Sequence, residues 1–291
     1  MSEQNIIAII CDCDGTLCPD TTELLISRIG ERPTDFWSNV SQLVQSGWDP
    51  PLAYLTKLLK IARSHSVGNI TLDFLKEVGH SIKFYPGSLD FIERLQHMLD
   101  SNADFRAARV KIELFINSSG IEEIIRFSEV GKRATGVFGC SFRFDKRGVA
   151  QGIKRTVTFT EKTKFVFAIN KGIGTDELRE KPYRVNDVIE PEDRRVPFEH
   201  MIYIGDGPSD IPCFSMIRSL DGNVVGVMPP EDTELIKPYE LSKGERLTIG
   251  PYTADYSEGT DLYKMLSRYV NSIADSILVT RAQKVRRAPS S

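Results

Sequence analysis

Ile6-Ile7-Ala8-Ile9-Ile10-Cys11-Asp12-Cys13-Asp14-Gly15-Thr16 is the stretch whose reading decides the fold. Residues 6–10 are continuously apolar and rich in β-branched side chains. The run is too short for a helix and fits a strand buried on both faces, as in a parallel sheet. It stops abruptly at two aspartates and a glycine. Outward from it the same pattern returns. Residues 110–116, apolar apart from Lys111 and Glu113, read as the next strand, ending at Asn117-Ser118-Ser119-Gly120. Residues 201–204 are a third, ending at Gly205-Asp206-Gly207-Pro208-Ser209-Asp210, and residues 224–228 a fourth, ending at Pro229-Pro230. Helical periodicity lies between them. Leu89, Ile92, Leu95 and Leu99 share one face, residues 121–127 suggest a short helix, and residues 162–169 fit a helix closed by Lys171-Gly172. A last helix from about Thr260 places Leu262, Leu266, Tyr269, Val270, Ile273 and Ile277 in register. Alternating strands and helices predict an α/β fold, a doubly wound and mainly parallel sheet with right-handed crossovers. Ligands of such sheets bind at the carboxyl ends of the strands.

Two segments depart from the alternation. Residues 21–83 carry only helical patterning: a stripe of Phe36, Val40, Leu43 and Val44, another of Leu52, Leu55, Leu58, Leu59 and Ala62 opened by Asp49-Pro50-Pro51, and a third of Leu72, Leu75 and Val78. Phe142 and Phe144, then Val157 and Phe159, alternate with polar residues around Asp145-Lys146-Arg147-Gly148, which suggests a β hairpin. The expected organisation is an α/β core over 1–20 and 85–280 with a β excursion near 138–160, and a small helical cap domain over 21–84. Residues 173–200 read as a surface loop with room for one short helix. Residues 281–291 hold Arg281, Lys284, Arg286 and Arg287 and no acid, and are expected to be a disordered basic tail.

The 291 residues are 41% hydrophobic and 26% charged with a net charge of −3, an ordinary globular composition without a basic field for nucleic acid or membrane. No apolar run approaches the roughly 18 residues of a membrane span. The polar start Met1-Ser2-Glu3-Gln4-Asn5 does not read as a secretory signal, and five cysteines, an odd number, favour a reducing compartment, so a cytoplasmic location is expected. Cys11, Cys13 and Cys18 lack the paired C-x-x-C spacing of zinc sites and read as small packing residues.

The chemistry gathers at the strand ends. Asp12 and Asp14 stand just past the first strand, where one carboxylate can face a ligand as nucleophile and the other can move a proton. Alone, Asp14-Gly15 is an ordinary turn. Asp206 and Asp210 follow the third strand, and Asp210 alone would be a helix cap. Four acids at one sheet edge repel each other unless a cation is present, and hard oxygen donors suit Mg²⁺. Ser118, Ser119 and Gly120 offer hydroxyl and N–H donors to a phosphate, though by themselves they read as a cap. Lys162 could neutralise both phosphate and nucleophile, with Lys164 competing for that part.

Together these segments resemble the haloacid dehalogenase superfamily. Residues 9–17 are similar to its first motif, Ile116-Asn117-Ser118 to its second, Lys162 to its third, and residues 205–210 to its acidic fourth, in the family's order. The helical insert between the first two motifs resembles the small cap of the phosphoserine-phosphatase-like branch. The resemblance implies an Mg²⁺-dependent phosphatase acting on a small phosphorylated metabolite. In it Asp12 forms an aspartyl-phosphate, Asp14 acts as general acid and base, and Ser118 and Lys162 bind the phosphoryl group. Mg²⁺ is held by Asp12, the Asp14 carbonyl and Asp206, with Asp210 as ligand or support. The second aspartate argues against dehalogenation. A phosphotransferase, or an idle regulatory protein with this fold, are the other readings. The implied partner is a small phosphomonoester, with no nucleic acid and no membrane, and monomer and homodimer both remain open. Phosphoserine phosphatases place a glutamate nine residues after the nucleophile; Thr21 stands there, with Glu23 nearby. Arg28, Arg32, Trp37 and Trp48 are the insert residues that could face the site, although the tryptophans serve as well as core.

Overall fold

The computed structural model describes residues 3–64, 68–230 and 247–287. Seven strands form one sheet in the order β4-β3-β2-β1-β5-β6-β7. They are β1 (Ile6–Cys11), β2 (Lys111–Ile121), β3 (Gly136–Phe144), β4 (Ala150–Arg155), β5 (Met201–Gly205), β6 (Asn223–Met228) and β7 (Ile249–Thr253). All neighbours are parallel except the edge pair β3–β4. The expected doubly wound, mainly parallel sheet is therefore present.

Burial explains the layering. Residues 7–11 of β1 have no accessible surface, and they alternate between two apolar clusters. Ala8 and Ile10 face one side; Ile7, Ile9 and Cys11 face the other. Covering such a side chain contributes about 1.5–3 kcal/mol for the larger residues, so one short strand anchors both layers. On the first side lie α9 (Phe159–Lys171) and α11 (Ile211–Ser219). On the second lie α5 (Phe91–Asp100), α6 (Ala103–Ala107) and α12 (Asp261–Arg287). Short helices α7 (Glu122–Phe127) and α8 (Glu129–Arg133) follow β2, and α10 (Thr175–Glu180) lies in the stretch read as a loop.

The insert consists of α1 (Thr21–Ile29), α2 (Pro33–Gln45), α3 (Pro50–Ser64) and α4 (Leu72–His80). Asp20 caps α1, accepting from the Thr22 and Glu23 amides, and Gly30 ends it in a left-handed conformation. Leu25, Phe36, Val40, Leu55, Leu58 and Leu75 belong to the same apolar cluster as Ala8, Ile10 and Phe115 of the sheet. The four helices thus share a core with one sheet face.

Several details differ from the sequence reading. Leu52 is solvent-exposed rather than part of the α3 stripe. The β excursion is half main sheet, because β3 pairs parallel with β2. Val157 lies beyond β4, and Phe159 opens α9 after the Thr158 cap, so neither belongs to the hairpin. β7 carries no alternation signal, since Gly250-Pro251 interrupts it; proline is tolerated there because the strand lies at the edge. The stretch expected to be a disordered tail continues α12 as far as Arg287. Arg281 helps to hold it by donating to the Ala108 carbonyl at 2.7 Å. No described helix is long and apolar enough to cross a membrane.

One charged pair is built into the sheet. Glu113 in β2 is buried, and both its oxygens accept from Arg195 at 2.7 Å. Arg195→Leu should lower stability by about 1–3 kcal/mol, because it leaves the buried carboxylate with only the exposed Lys111 ammonium at 3.5 Å. The double variant Glu113→Leu/Arg195→Leu should recover most of that loss in urea denaturation. Equal stability of the single variant and the parent would mean that the pair holds nothing.

Candidate active site

Register brings the strand ends level. Cys11 pairs with Ile116 on one side and Ile204 on the other, so Asp12, Asn117 and Gly205 emerge at the same edge. The Asp12 amide continues the ladder by donating to the Ile204 carbonyl at 2.9 Å. Beyond it the chain folds into a tight loop, in which the amides of Thr16, Leu17 and Cys18 all point to the Cys13 carbonyl.

Asp12 is buried and held from two directions. Its Oδ1 accepts from the Cys13 amide at 2.7 Å, and its Oδ2 from Lys162 Nζ at 2.7 Å. Lys162 is wholly buried in the first turn of α9, and its ammonium also donates to Asp210 Oδ1 at 2.8 Å and Ser209 Oγ at 3.2 Å. Burial works against its charge, but the carboxylates of Asp12 and Asp210 outweigh that and hold the ammonium above its usual range. Lys164 pairs with Glu161 and lies over the Phe165 ring, away from Asp12. The competition between the two lysines is therefore decided by geometry.

Asp206 offers an oxygen to the same cluster, so that ligand atoms of Asp12, Asp206 and Asp210 lie within 4.8 Å of one another. Burial, then the charges of Asp12 and Asp210, push Asp206 up to about 8. Burial likewise raises Asp210, to about 6. Asp210 Oδ1 receives both Lys162 and the Tyr203 hydroxyl, at 2.9 Å for the latter, while its Oδ2 is buried without a hydrogen-bond partner. Thr16 Oγ1 donates to Asp206 Oδ1 at 3.1 Å. Thr16 reads from sequence as a residue that hydrogen-bonds to fix the loop, whereas Tyr203 and Ser209 were not singled out, because nothing in strand periodicity marks which polar groups meet an acid.

Asp14 stands apart from that cluster. Its Oδ1 accepts the Thr21 amide at 2.8 Å. Burial and the charge of Asp20 hold its carboxyl well above the usual range, although the Thr21 amide opposes this. Cys13 and Cys18, which sequence spacing did not group, approach to 3.7 Å between sulfurs. Their hydrogen bond, with burial, keeps the Cys13 thiol well above its ordinary range, so it stays a protonated packing group.

Ser118, Ser119 and Gly120 are not a loop before a helix. They form a bulged continuation of β2, where pairing with β3 shifts register between Asn117 and Ile121. Gly120 N–H donates to Ser118 Oγ at 2.9 Å, so that amide is already engaged. Ser119 Oγ is buried without a hydrogen-bond partner, and the Ser119 carbonyl accepts from the Tyr54 hydroxyl at 2.7 Å. Asn117 Nδ2 donates to the Lys162 carbonyl at 3.0 Å, fixing the start of α9 against β2.

A cavity of about 320 Å³ opens above these groups. Its floor holds Asp12, Asp14, Ser118 and Asp206, and its walls include Trp37, Tyr54 and Phe159. Of the insert residues considered from sequence, only Trp37 lines it; Trp48 is 40% exposed elsewhere, and Arg32 is engaged by Asp35. Glu23 is exposed and is not among the lining residues.

No protein-family model matches the chain. An uncharacterized protein of Borreliella burgdorferi is 24% identical over 289 residues, covering 90% of this chain and 96% of that protein. Among solved structures, a phosphoserine phosphatase carrying a phospho-aspartyl intermediate analogue aligns over 91% of this chain and 99% of its own, with 13% identity and a TM-score of 0.52. A HAD family hydrolase from Salmonella enterica serovar Typhi is 14% identical with a TM-score of 0.51, over 77% of this chain. The chain spans only 62% of that hydrolase's length. The strand order, the level strand ends and these likenesses agree: the chain has the haloacid dehalogenase fold, in the form it takes in phosphoserine phosphatases.

Proposed function

We propose that this protein is an Mg²⁺-dependent phosphomonoester hydrolase that passes the phosphoryl group through Asp12. One observation carries the reading: a buried carboxylate, fixed by Lys162 and the Cys13 amide, lies in the floor of a cavity beside Asp14, Ser118 and Asp206. Phosphoryl transfer needs positioning and charge neutralisation more than elaborate covalent chemistry. Asp12 attacks phosphorus as the bond to the ester oxygen breaks. Asp14 gives a proton to that departing oxygen. It then takes one from water, which attacks phosphorus, splits the aspartyl-phosphate and frees Asp12 and inorganic phosphate. The Thr21 amide, which donates to one Asp14 oxygen and so orients the carboxyl, supports this role. Its other oxygen leans over Gly120, where a Cβ would come within 2.8 Å of it.

The donor set fits Mg²⁺. Asp12 and Asp206, with the Asp14 carbonyl, would hold it, while Asp210 secures Lys162 behind them. The oxygens are hard donors, they repel without a cation, and the backbone makes room for them. Gly15 has φ +73°, and a Cβ there would run into Asp206 Oδ2. When bound, Mg²⁺ would neutralise charge on the phosphoryl oxygens.

The protein should release phosphate from p-nitrophenyl phosphate in Mg²⁺ and lose that activity in EDTA. Asp12→Asn should keep the circular dichroism of the parent and retain less than about one thousandth of its turnover. Parent-like turnover in that variant would remove Asp12 as nucleophile. Gly15→Ala should weaken the Mg²⁺ dependence by about 10–100-fold, since it displaces Asp206. An unchanged Mg²⁺ titration would separate Asp206 from the metal.

A further inference from the structure

Resting on the phosphatase reading, we infer that the leaving group of the substrate is aromatic or broadly apolar and carries no negative charge. The cavity divides into two chemically distinct ends. At its floor the acids, Ser118 and, behind Asp12, the Lys162 ammonium answer to a phosphoryl group. Above them Trp37, Val40, Pro50, Pro51, Tyr54 and Phe159 make the wall. The Trp37 and Tyr54 ring centroids are 6.0 Å apart with a 57° tilt, so two faces meet at an angle. Phe159 is 46% exposed at the start of α9, an apolar rim where the first turn of a helix usually carries polar groups. Such a wall binds rings and flat apolar surface.

Charge sharpens the choice. Every charged side chain lining the cavity is acidic: Asp12, Asp14, Asp20 and Asp206. Mg²⁺ and Lys162 would be committed to the phosphoryl end. No lysine or arginine lines the other end among the described residues, and Arg32, the cation just before α2, is taken by Asp35. A carboxylate on the leaving group would lose its water without gaining a cation, and it would also meet the charge of Asp20. Phosphoserine carries such a carboxylate, so this cavity is built against the substrate that its structural neighbours' names suggest.

The test measures binding by calorimetry, in Mg²⁺, of three non-hydrolysable phosphonates to the full chain: benzylphosphonate, propylphosphonate and phosphonoacetate. Benzylphosphonate should bind at least about tenfold more tightly than propylphosphonate, and phosphonoacetate more weakly than either. Trp37→Ala should collapse the benzyl-to-propyl ratio, and Trp37→Phe should retain it. Phosphonoacetate binding as tightly as benzylphosphonate, a ratio indifferent to Trp37→Ala, or no binding by any of the three would overturn the inference. The expected ranking without Mg²⁺-dependent phosphate release from any ester would sink the hydrolase reading alone. Release accompanied by the opposite ranking would sink only the leaving-group assignment.

Discussion

A single buried ammonium organises the site. Lys162 has no accessible surface, and moving its charge out of water is affordable only because Asp12 and Asp210 receive it at 2.7 and 2.8 Å. The ammonium is tolerable through the two carboxylates and each carboxylate through the ammonium, while the two acids repel each other. Around them neutral groups complete the network: the Tyr203 hydroxyl donates to Asp210, Ser209 Oγ accepts from the Lys162 ammonium, and Asn117 donates to the Lys162 carbonyl. The result ties β1, β2, β5, α9 and the turn before α11 to one point. A carboxylate held in this way has little freedom left to lose, which is what preorganisation would require of the nucleophile proposed above.

That constraint also explains how much could be read from sequence. Strands such as β1 and β5 are legible because burial on both faces leaves an unbroken apolar run, and their ends are legible because the run stops at Asp or Gly. The register that makes Asp12, Asn117 and Gly205 level follows from the sheet order, which the alternating pattern implies. The choice of Lys162 over Lys164 does not follow from spacing. It depends on which side of α9 faces the sheet, and Glu161 draws Lys164 outward. Ser118 to Gly120 looked like a loop because small polar residues end strands, yet the backbone stays extended through a bulge. β7 was invisible because its proline and glycine break the alternation, which an edge strand can accept.

The cavity wall was the least legible part, for a different reason. Trp37 and Tyr54 occupy positions that helical periodicity assigns equally well to core or to a lining. Tyr54 is in fact both: it belongs to the shared apolar cluster and spends its hydroxyl on the Ser119 carbonyl. Only the packing of α2 on α1 and α3, and of α3 on β4, turns these rings toward the acids. Phe159 read as a strand residue because it alternates with Val157, but the Thr158 cap starts a helix between them and swings the ring to the rim.

The same economy of placement applies to Asp20. As the cap of α1 it satisfies the Thr22 and Glu23 amides, a structural task that Ser or Asn could perform as well. As an acid it adds negative charge beside Asp14 and raises that carboxyl, which a neutral cap would not do. A residue chosen only to start a helix has no need of charge so close to three other acids. The entry to the helical insert therefore contributes electrostatically to the sheet edge, and the helices that supply the apolar wall begin with a group that turns anions away from it.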